Sequence, residues 1–464
     1  MSSVVINPQH RGRRQPPVAR GHWLLGTMRE FQRSPLETMV NLTEKYGDAV
    51  RFHFFLHFYG YLFCHPDHNK HVLQDNNRNY TKIPHPSLVL LQPVLGNGLL
   101  TSDGDFWRQQ RRLAQPAFHR RRIAEFGTIM SDAAQVMVEK WQAHADSGRA
   151  FDVAEEMMRL TLEIVGRALF SLDITREAER VGTAFTAVNT KLAGLSAKPF
   201  SPYLIKIPWL PASRTVNENV AILNEVVDSI IEERRARPDG GEDDLLGLLM
   251  AARDEETGQG MDDQQLRDEV MTIMLAGHET TAVALSWTFY LLAQEPGVRR
   301  KLEAELAEVL GGRAPTMADL PDLKYTTMVI EESMRLYPPA YAIGRWCNDG
   351  DEIGGYTVPP NSTLTLSPYL THRHPEFWEE PDKFDPERFT AERQAERPRY
   401  AYLPFGGGPR QCIGNNFAMT EAILLLATIA PRYRLELLPG QRVEMEPLIT
   451  LRPRNGLPMR VARV

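Results

Sequence analysis

Apolar residues recur at a spacing near 3.6 through most of this chain, and departures from that rhythm are local. Residues 128–143, 153–170 and 216–237 repeat apolar positions at i, i+3 and i+4, which predicts amphipathic helices with one face on a core. The longest run, residues 262–293, is apolar almost all round and predicts a helix buried in the middle of the protein. Asp262, with Gln265 three residues on, predicts a capping box at its start. Residues 323–336 predict another helix, stopped by Tyr337-Pro338-Pro339. Residues 415–431 (NNFAMTEAILLLATIAP) have the length and apolar content of a buried helix. The period changes at residues 50–64 (VRFHFFLHFYGYLFC), where aromatic and β-branched residues around Gly60 predict a hairpin or bent strand pair. Residues 66–74 read as a short helix, and residues 83–98, punctuated by proline and glycine, as a loop region with little regular structure. The strongest interior loop signal, PDGGEDD at residues 238–244, is short and joins helix to helix. With no interdomain linker and no internal repeat, the pattern predicts one large, mainly α domain with small β-sheets.

Composition narrows the function classes. A 464-residue chain with 42% apolar residues has ample material for a core, and its net charge of −6 argues against a general nucleic-acid binder. Its three cysteines, Cys64, Cys347 and Cys412, form no disulfide framework and fit a reducing compartment, so a cytoplasmic location is expected. That count also excludes a self-contained four-cysteine iron–sulfur cluster or zinc ribbon. No run of about 18 apolar residues occurs, so no membrane span is expected. Residues 1–25 read as a basic, proline-rich arm; Arg13-Arg14 is followed by Gln15-Pro16-Pro17 where a twin-arginine signal needs an apolar stretch. His65, His68 and His71, and the pair His372 and His374, lack a matching set of further ligands and are not read as zinc sites.

Two segments break the helical pattern in ways that point to chemistry. Residues 405–414 read FGGGPRQCIG, a glycine-rich loop that delivers Cys412 to the mouth of the helix predicted at 415–431. Gly406, Gly407 and Gly408 let such a loop pass close to a flat ligand, and the positive end of the helix would stabilise a thiolate. A lone cysteine is more often a small buried hydrophobe, so the context carries the signal. In the middle of the 262–293 helix stands Ala276-Gly277-His278-Glu279-Thr280-Thr281. A glycine and four polar residues inside a buried helix predict a local distortion with a role. Ala276 and Thr280, at i and i+4, share one face; His278 is turned off it and reads as a hydrogen-bonding histidine.

The spacing F-x-x-G-x-R-x-C-x-G, filled by Phe405, Gly408, Arg410, Cys412 and Gly414, resembles the cysteine signature of the cytochrome P-450 superfamily. Residues 276–281 resemble its oxygen-binding segment, and the likeness runs from Gly26 to the C-terminus. The resemblance implies a haem-thiolate monooxygenase domain over residues 26–464, with non-covalent haem b whose iron is bound by Cys412. Glu279 and Thr280 would be the acid and alcohol that deliver protons, with Ala276 against the haem. Glu332 and Arg335, with Arg388 of a P-E-R-F segment, would form a buried triad supporting the cysteine loop. Trp107, Arg111, Arg345 and Arg410 would bind the haem propionates, with Phe405 and Gly414 beside the ring. The substrate pocket would include Val94, Ala276, Ala340, Ala342 and Ile449, all apolar, which implies a hydrophobic substrate such as a fatty acid or terpenoid. Dioxygen would be the second substrate. No flavin or ferredoxin module is visible, so electrons would come from a separate ferredoxin or flavodoxin with its reductase. Arg108, Arg112, Arg120, Arg121 and Arg122 would steer such an acidic carrier. A haem sensor without turnover and a peroxide-driven peroxygenase are the alternatives.

Overall fold

The computed structural model describes residues 14–55, 58–172, 177–196, 200–236, 244–254 and 258–464. Eight helices position the site: α1 (Gly104–Ala114), α2 (Arg120–Ser147), α3 (Val153–Phe170), α4 (Ala178–Ser196), α5 (Pro211–Arg235), α6 (Asp263–Gln294), α7 (Lys324–Leu336) and α8 (Asn415–Ile429). The predicted bounds of α3 are reproduced to the residue, because Asp152 caps it: its Oδ1 accepts from the Ala154 N–H at 2.9 Å. Asp262 does the same for α6, accepting from the Gln265 N–H at 2.8 Å. The all-round apolar pattern of α6 is explained by its neighbours, since α3, α5, α7 and α8 all lie against it. The largest hydrophobic cluster surrounds it.

The segment at residues 83–98 differs from expectation. It contains two short helices, Pro86–Val89 and Gln92–Leu95. Each has a proline in its first turn, where the missing N–H leaves no bond unmade and the fixed φ favours the helix. Of the PDGGEDD loop only Asp244 lies within the described residues.

A six-stranded sheet stands beside the helices. Its strands are β1 (Val18–Ala19), β2 (Ala49–Phe55), β3 (Phe58–Phe63), β4 (Tyr80–Thr81), β5 (Ile343–Cys347) and β6 (Ser362–Leu366), in the order β1-β2-β3-β6-β5-β4. The expected hairpin is β2 paired antiparallel with β3, Phe52 opposite Gly60. A Cβ at residue 60 would run into the Phe52 ring, which accounts for the glycine. β1 pairs parallel with β2, so the segment expected to be an arm as far as residue 25 already joins the sheet at Val18. Among the described residues no helix is long and apolar enough to cross a membrane.

Trp287 ties the central helix to the C-terminal segment. It is fully buried, stacks on Tyr337 with ring centroids 4.1 Å apart and planes 7° apart, and its Nε1–H donates to the Leu451 carbonyl at 2.7 Å. Trp287→Phe keeps the stack but strands that carbonyl in a dry site, which destabilises by about 1–3 kcal/mol. The expected result is a lower urea midpoint with an unchanged slope. An unchanged midpoint would remove this bond from the account of the fold.

Candidate active site

A buried ion cluster on α7, which packs against α8, braces the segment leading into the cysteine loop. Glu332 and Arg335, one turn apart on α7, are both fully buried and bidentate, at 2.6 and 2.8 Å. Arg335 spends its remaining donors on the carbonyls of His372 (2.8 Å), Pro381 (2.6 Å) and Lys383 (3.1 Å). Arg388 completes an ion triad, 3.3 Å from Glu332, and donates to the Glu380 carbonyl at 2.9 Å. The three residues predicted as a triad therefore meet. His372 extends the set: its Nε2 accepts from the Leu403 N–H at 2.9 Å, two residues before the loop begins.

The loop itself approaches other backbone closely. Gly406 and Gly408 stand at φ +69° and +66°, the left-handed region that favours glycine. A Cβ at Gly408 would collide with the Leu73 carbonyl oxygen. The Cys412 N–H donates to the Phe405 carbonyl at 2.9 Å, closing the loop, and Gly414 caps α8. Arg111 of α1 donates to the Gln411 carbonyl at 2.9 Å. Burial pushes the Cys412 thiol up, while the Gly414 N–H and the charges of Arg111 and Lys82 pull it down. Its side chain still exposes surface although protein surrounds it, so it borders an internal space.

Beside the cysteine lies a knot of positive charge. Arg410 packs 4.0 Å over the Trp107 ring, donates to the Ser102 carbonyl at 2.8 Å and pairs with Asp103. Arg345 is buried on β5; burial first, and Arg410 next, lower its pKa to about 10. Lys82 is buried with its Nζ on the Leu100 carbonyl at 2.7 Å, and burial with Arg410, Arg345 and Arg111 drives its pKa well down. His85 lies near Arg345, held neutral by burial with its pKa lowered to about 3 and its Nε2 unpartnered. Lys82, Arg345 and Arg410 thus face one carboxylate, Asp103, and Arg111 adds a fourth positive charge facing Lys82. Such a set fits a ligand bearing two carboxylates. Lys82 and His85 were not anticipated, and KIPHP offers no sequence signal that either side chain is buried.

On α6 the predicted distortion does not occur, for the helix runs unbroken through residues 276–281. Side chains instead add donors to its carbonyls: His278 Nδ1 to Met274 (2.9 Å), Thr280 to Ala276 (2.8 Å) and Thr281 to Gly277 (3.3 Å). Thr161 of α3 reaches the His278 carbonyl at 2.9 Å. His278 is buried, with its pKa lowered to about 4 by burial, while Ala276 is exposed and Thr280 half-exposed on the neighbouring face. Glu279 points elsewhere. Its Oε1 accepts from Asn189 Nδ2 of α4 at 2.8 Å and from Thr450 Oγ1 at 2.9 Å, and burial raises its pKa to about 7. The acid and the alcohol are therefore sequence neighbours whose side chains have separate partners.

Parts of the expected pocket segments touch in pairs. The Gln92–Leu95 helix, with Val94 in the main core, lies against α6, which carries Ala276. Ala340 and Ala342 expose surface on either side of Tyr341, whose hydroxyl donates to the Leu448 carbonyl at 3.0 Å, next to half-buried Ile449. The arginine cluster on the α1–α2 side is more nearly neutral than expected. Arg108 pairs with Asp105, Arg112 with Asp254 at 2.8 Å and Arg122 with Glu125 at 3.2 Å, leaving Arg120 and Arg121 exposed. Among the described residues no group of three or more His, Cys, Asp and Glu side chains could hold a metal ion; His71 is bound to Asp351 and His374 to Asp48.

A mainly helical fold with a glycine-rich cysteine loop before α8 and a threonine-bearing central helix is consistent with a haem-thiolate monooxygenase. The Cytochrome P450 family model matches residues 16–457, and the chain belongs to that family. Cyclooctatin synthase of Streptomyces melanosporofaciens is 42% identical over 441 residues, 94% of this chain and 92% of that one. Pentalenene oxygenase of Streptomyces avermitilis is 34% identical over 433 residues, 92% and 93% of the two chains. The crystal structure of the cytochrome P450DA heme domain matches with a TM-score of 0.87 at 28% identity, covering 98% of this chain and 99% of its own. Monooxygenases of this family use dioxygen, a hydrophobic substrate and a redox partner.

The triad generates a stability prediction. Arg335→Ala leaves three buried carbonyls without their arginine donor and Glu332 with only Arg388 and the Asp385 N–H, which costs about 3–5 kcal/mol. The expected outcome is little folded, haem-loaded protein, read from the haem-to-protein absorbance ratio of the purified chain. Normal loading and turnover would show that the cysteine loop does not depend on this pair.

Proposed function

We propose that Cys412 is the thiolate ligand of haem b in a monooxygenase that oxidises an apolar terpenoid. The observation that carries the reading is a cluster of four cations, Lys82, Arg111, Arg345 and Arg410, with the single carboxylate Asp103, beside Cys412. Trp107, Arg111, Arg345 and Arg410, joined by Lys82 and His85, would hold the two propionates, and Phe405, Gly414 and Ala276 would flank the ring. Haem, when bound there, supplies the redox iron at which dioxygen is split, and a thiolate ligand favours that cleavage.

The chain's own residues supply position, dryness and protons. Thr280 gives its hydroxyl proton to the Ala276 carbonyl, so its lone pairs face outward from the helix and can accept a proton in transit. Glu279, with a pKa near 7, can both hold and release a proton at neutral pH. Val94, Ala276, Ala340, Ala342 and Ile449 offer a wall without polar side chains, which suits a hydrocarbon skeleton. The similarity to cyclooctatin synthase and pentalenene oxygenase, terpenoid-oxidising relatives, favours a terpenoid over a fatty acid. Electrons would come from a separate ferredoxin or flavodoxin with its reductase, docking near exposed Arg120 and Arg121. Free Cys64 and Cys347, both buried thiols, accord with work in the cytoplasm.

The ligand assignment is tested by spectroscopy. Cys412→His should abolish the red-shifted ferrous carbon monoxide band of thiolate-ligated haem, whereas Cys64→Ser and Cys347→Ser should keep it. Retention of that band by Cys412→His would end the assignment. Substrate class is read from haem spectral shifts on titrating sesquiterpenes, diterpenes and fatty acids; tighter binding of fatty acids would overturn the terpenoid reading.

Thr280→Ala separates proton handling from binding. It removes a hydroxyl at a half-exposed position without disturbing the apolar wall, so substrate affinity should hold. Product formation should fall by roughly 10²-fold, the low end for an acid–base group because water can partly replace a hydroxyl. NADPH consumption with a reductase and carrier should fall less, the difference leaving as hydrogen peroxide. An unchanged ratio of product to NADPH would reduce Thr280 to a helix-packing residue.

A further inference from the structure

We infer that Asn189 is a positioning residue that couples the substrate-facing turn at Ile449 to the carboxyl of Glu279. The inference rests on the monooxygenase reading above and names a residue of α4 that no site motif contains. Asn189 is fully buried, and both ends of its amide are engaged. Its Nδ2 donates to Glu279 Oε1 at 2.8 Å, and its Oδ1 accepts from the Ile449 N–H at 3.0 Å. The two partners fix the amide's orientation, since a carboxylate needs a donor and an N–H needs an acceptor. Thr450, the next residue of the turn, donates to the same Glu279 oxygen at 2.9 Å. One carboxylate oxygen on α6 is thereby held from α4 and from the turn together.

A single short amide spans three elements, so a shift of the turn or of α4 by about 1 Å breaks one bond or the other. An apolar substrate seated against Ile449 presses on the residue whose N–H Asn189 holds. The bond to Glu279 then reports whether the pocket is filled. Each donor favours the charged carboxylate, so losing Asn189 raises the Glu279 pKa further above the ordinary carboxylate range. The charged group facing Glu279 among the described residues is Arg452, itself paired with Glu446 at 2.9 Å; the contributions of α4 and of Thr450 are neutral.

Two variants separate the arms. Asn189→Leu removes both bonds at nearly constant volume; Thr450→Val removes only a donor to Glu279 and keeps the test alive if the first variant does not accumulate. Hydrogen exchange of the Ile449 amide, read on the holoenzyme by mass spectrometry of peptides spanning residues 446–452, should quicken about tenfold in Asn189→Leu and stay unchanged in Thr450→Val. The ratio of product to NADPH should fall at least about twofold in both, with its pH midpoint moved upward. The Kd of farnesol as an apolar probe should move less than about threefold, because the wall it touches is intact. Unchanged exchange in Asn189→Leu would overturn the coupling outright. Faster exchange with an unchanged ratio and pH midpoint would overturn the positioning role and leave Asn189 a packing residue. Failure of the wild-type enzyme to form product with any donor system would instead retract the monooxygenase reading, and the proton-handling role of Asn189 with it, while the exchange measurement still decides whether Asn189 holds the turn.

Discussion

The buried pair Glu332–Arg335 is the constraint on which the placement of the cysteine rests. A guanidinium has five N–H donors, and Arg335 uses them on two carboxylate oxygens and three carbonyls of the segment 372–383. An ion pair this dry gives little net stability against an apolar replacement, because desolvation offsets the attraction. What it gives is geometry, since any displacement of that segment strands a charge. The His372 ring then carries the position onward to Leu403, and the Cys412 N–H closes on Phe405. A helix packed against α8 thereby sets where the sulfur just before α8 sits.

The two charged regions of the site behave oppositely. Around Glu332 two guanidiniums, Arg335 and Arg388, close on one carboxylate and spend further donors on backbone carbonyls. Around Asp103 the cations Lys82, Arg345 and Arg410 outnumber the carboxylate, and burial first, with their mutual repulsion next, lowers the pKa values of Lys82 and Arg345. A self-satisfied cluster is a strut; an unsatisfied one is a receptor, because binding of an anion relieves the repulsion and stabilises the fold by mass action. The same charges also bear on Cys412, where Arg111 and Lys82 favour the thiolate against burial. On the proposed function, anion binding and thiolate formation would draw on one electrostatic field.

Most of the helical framework was legible because periodicity records burial, and burial is what α2, α3, α5 and α6 share. The cysteine loop and the residues of the triad were legible because their spacing is rigid. Partners were not. Asn189 and Ile449 stand 260 residues apart in the chain, and a lone asparagine in an amphipathic helix reads as part of a solvated face. His372 passed for an unremarkable histidine until its acceptor role toward Leu403 was visible. The short helices at Pro86 and Gln92 were missed because proline signals both a loop and a helix start. The distortion expected at Gly277 is absent because His278, Thr280 and Thr281 bond to the carbonyls of their own helix, so polar residues that would otherwise need outside partners are satisfied within an unbroken α6.

That internal satisfaction bears on how an acid and an alcohol adjacent in sequence divide the work. Consecutive residues on a helix diverge by roughly 100°, so Glu279 and Thr280 cannot present their side chains to one point. Thr280 looks out beside Ala276, on the face that keeps open surface, while Glu279 is turned toward α4 and the 449–450 turn. A proton passing between them must travel around the helix rather than across one hydrogen bond. The carboxyl is then free to be set by whatever holds it from the side, here two neutral donors and the field of Arg452. Placing the titrating group away from the open face also keeps a charge off the apolar wall where substrate would bind, since a bare carboxylate there would oppose burial of a hydrocarbon. On the proposed function, the separation of acid from alcohol would let one short helical segment border a dry pocket and handle protons at once.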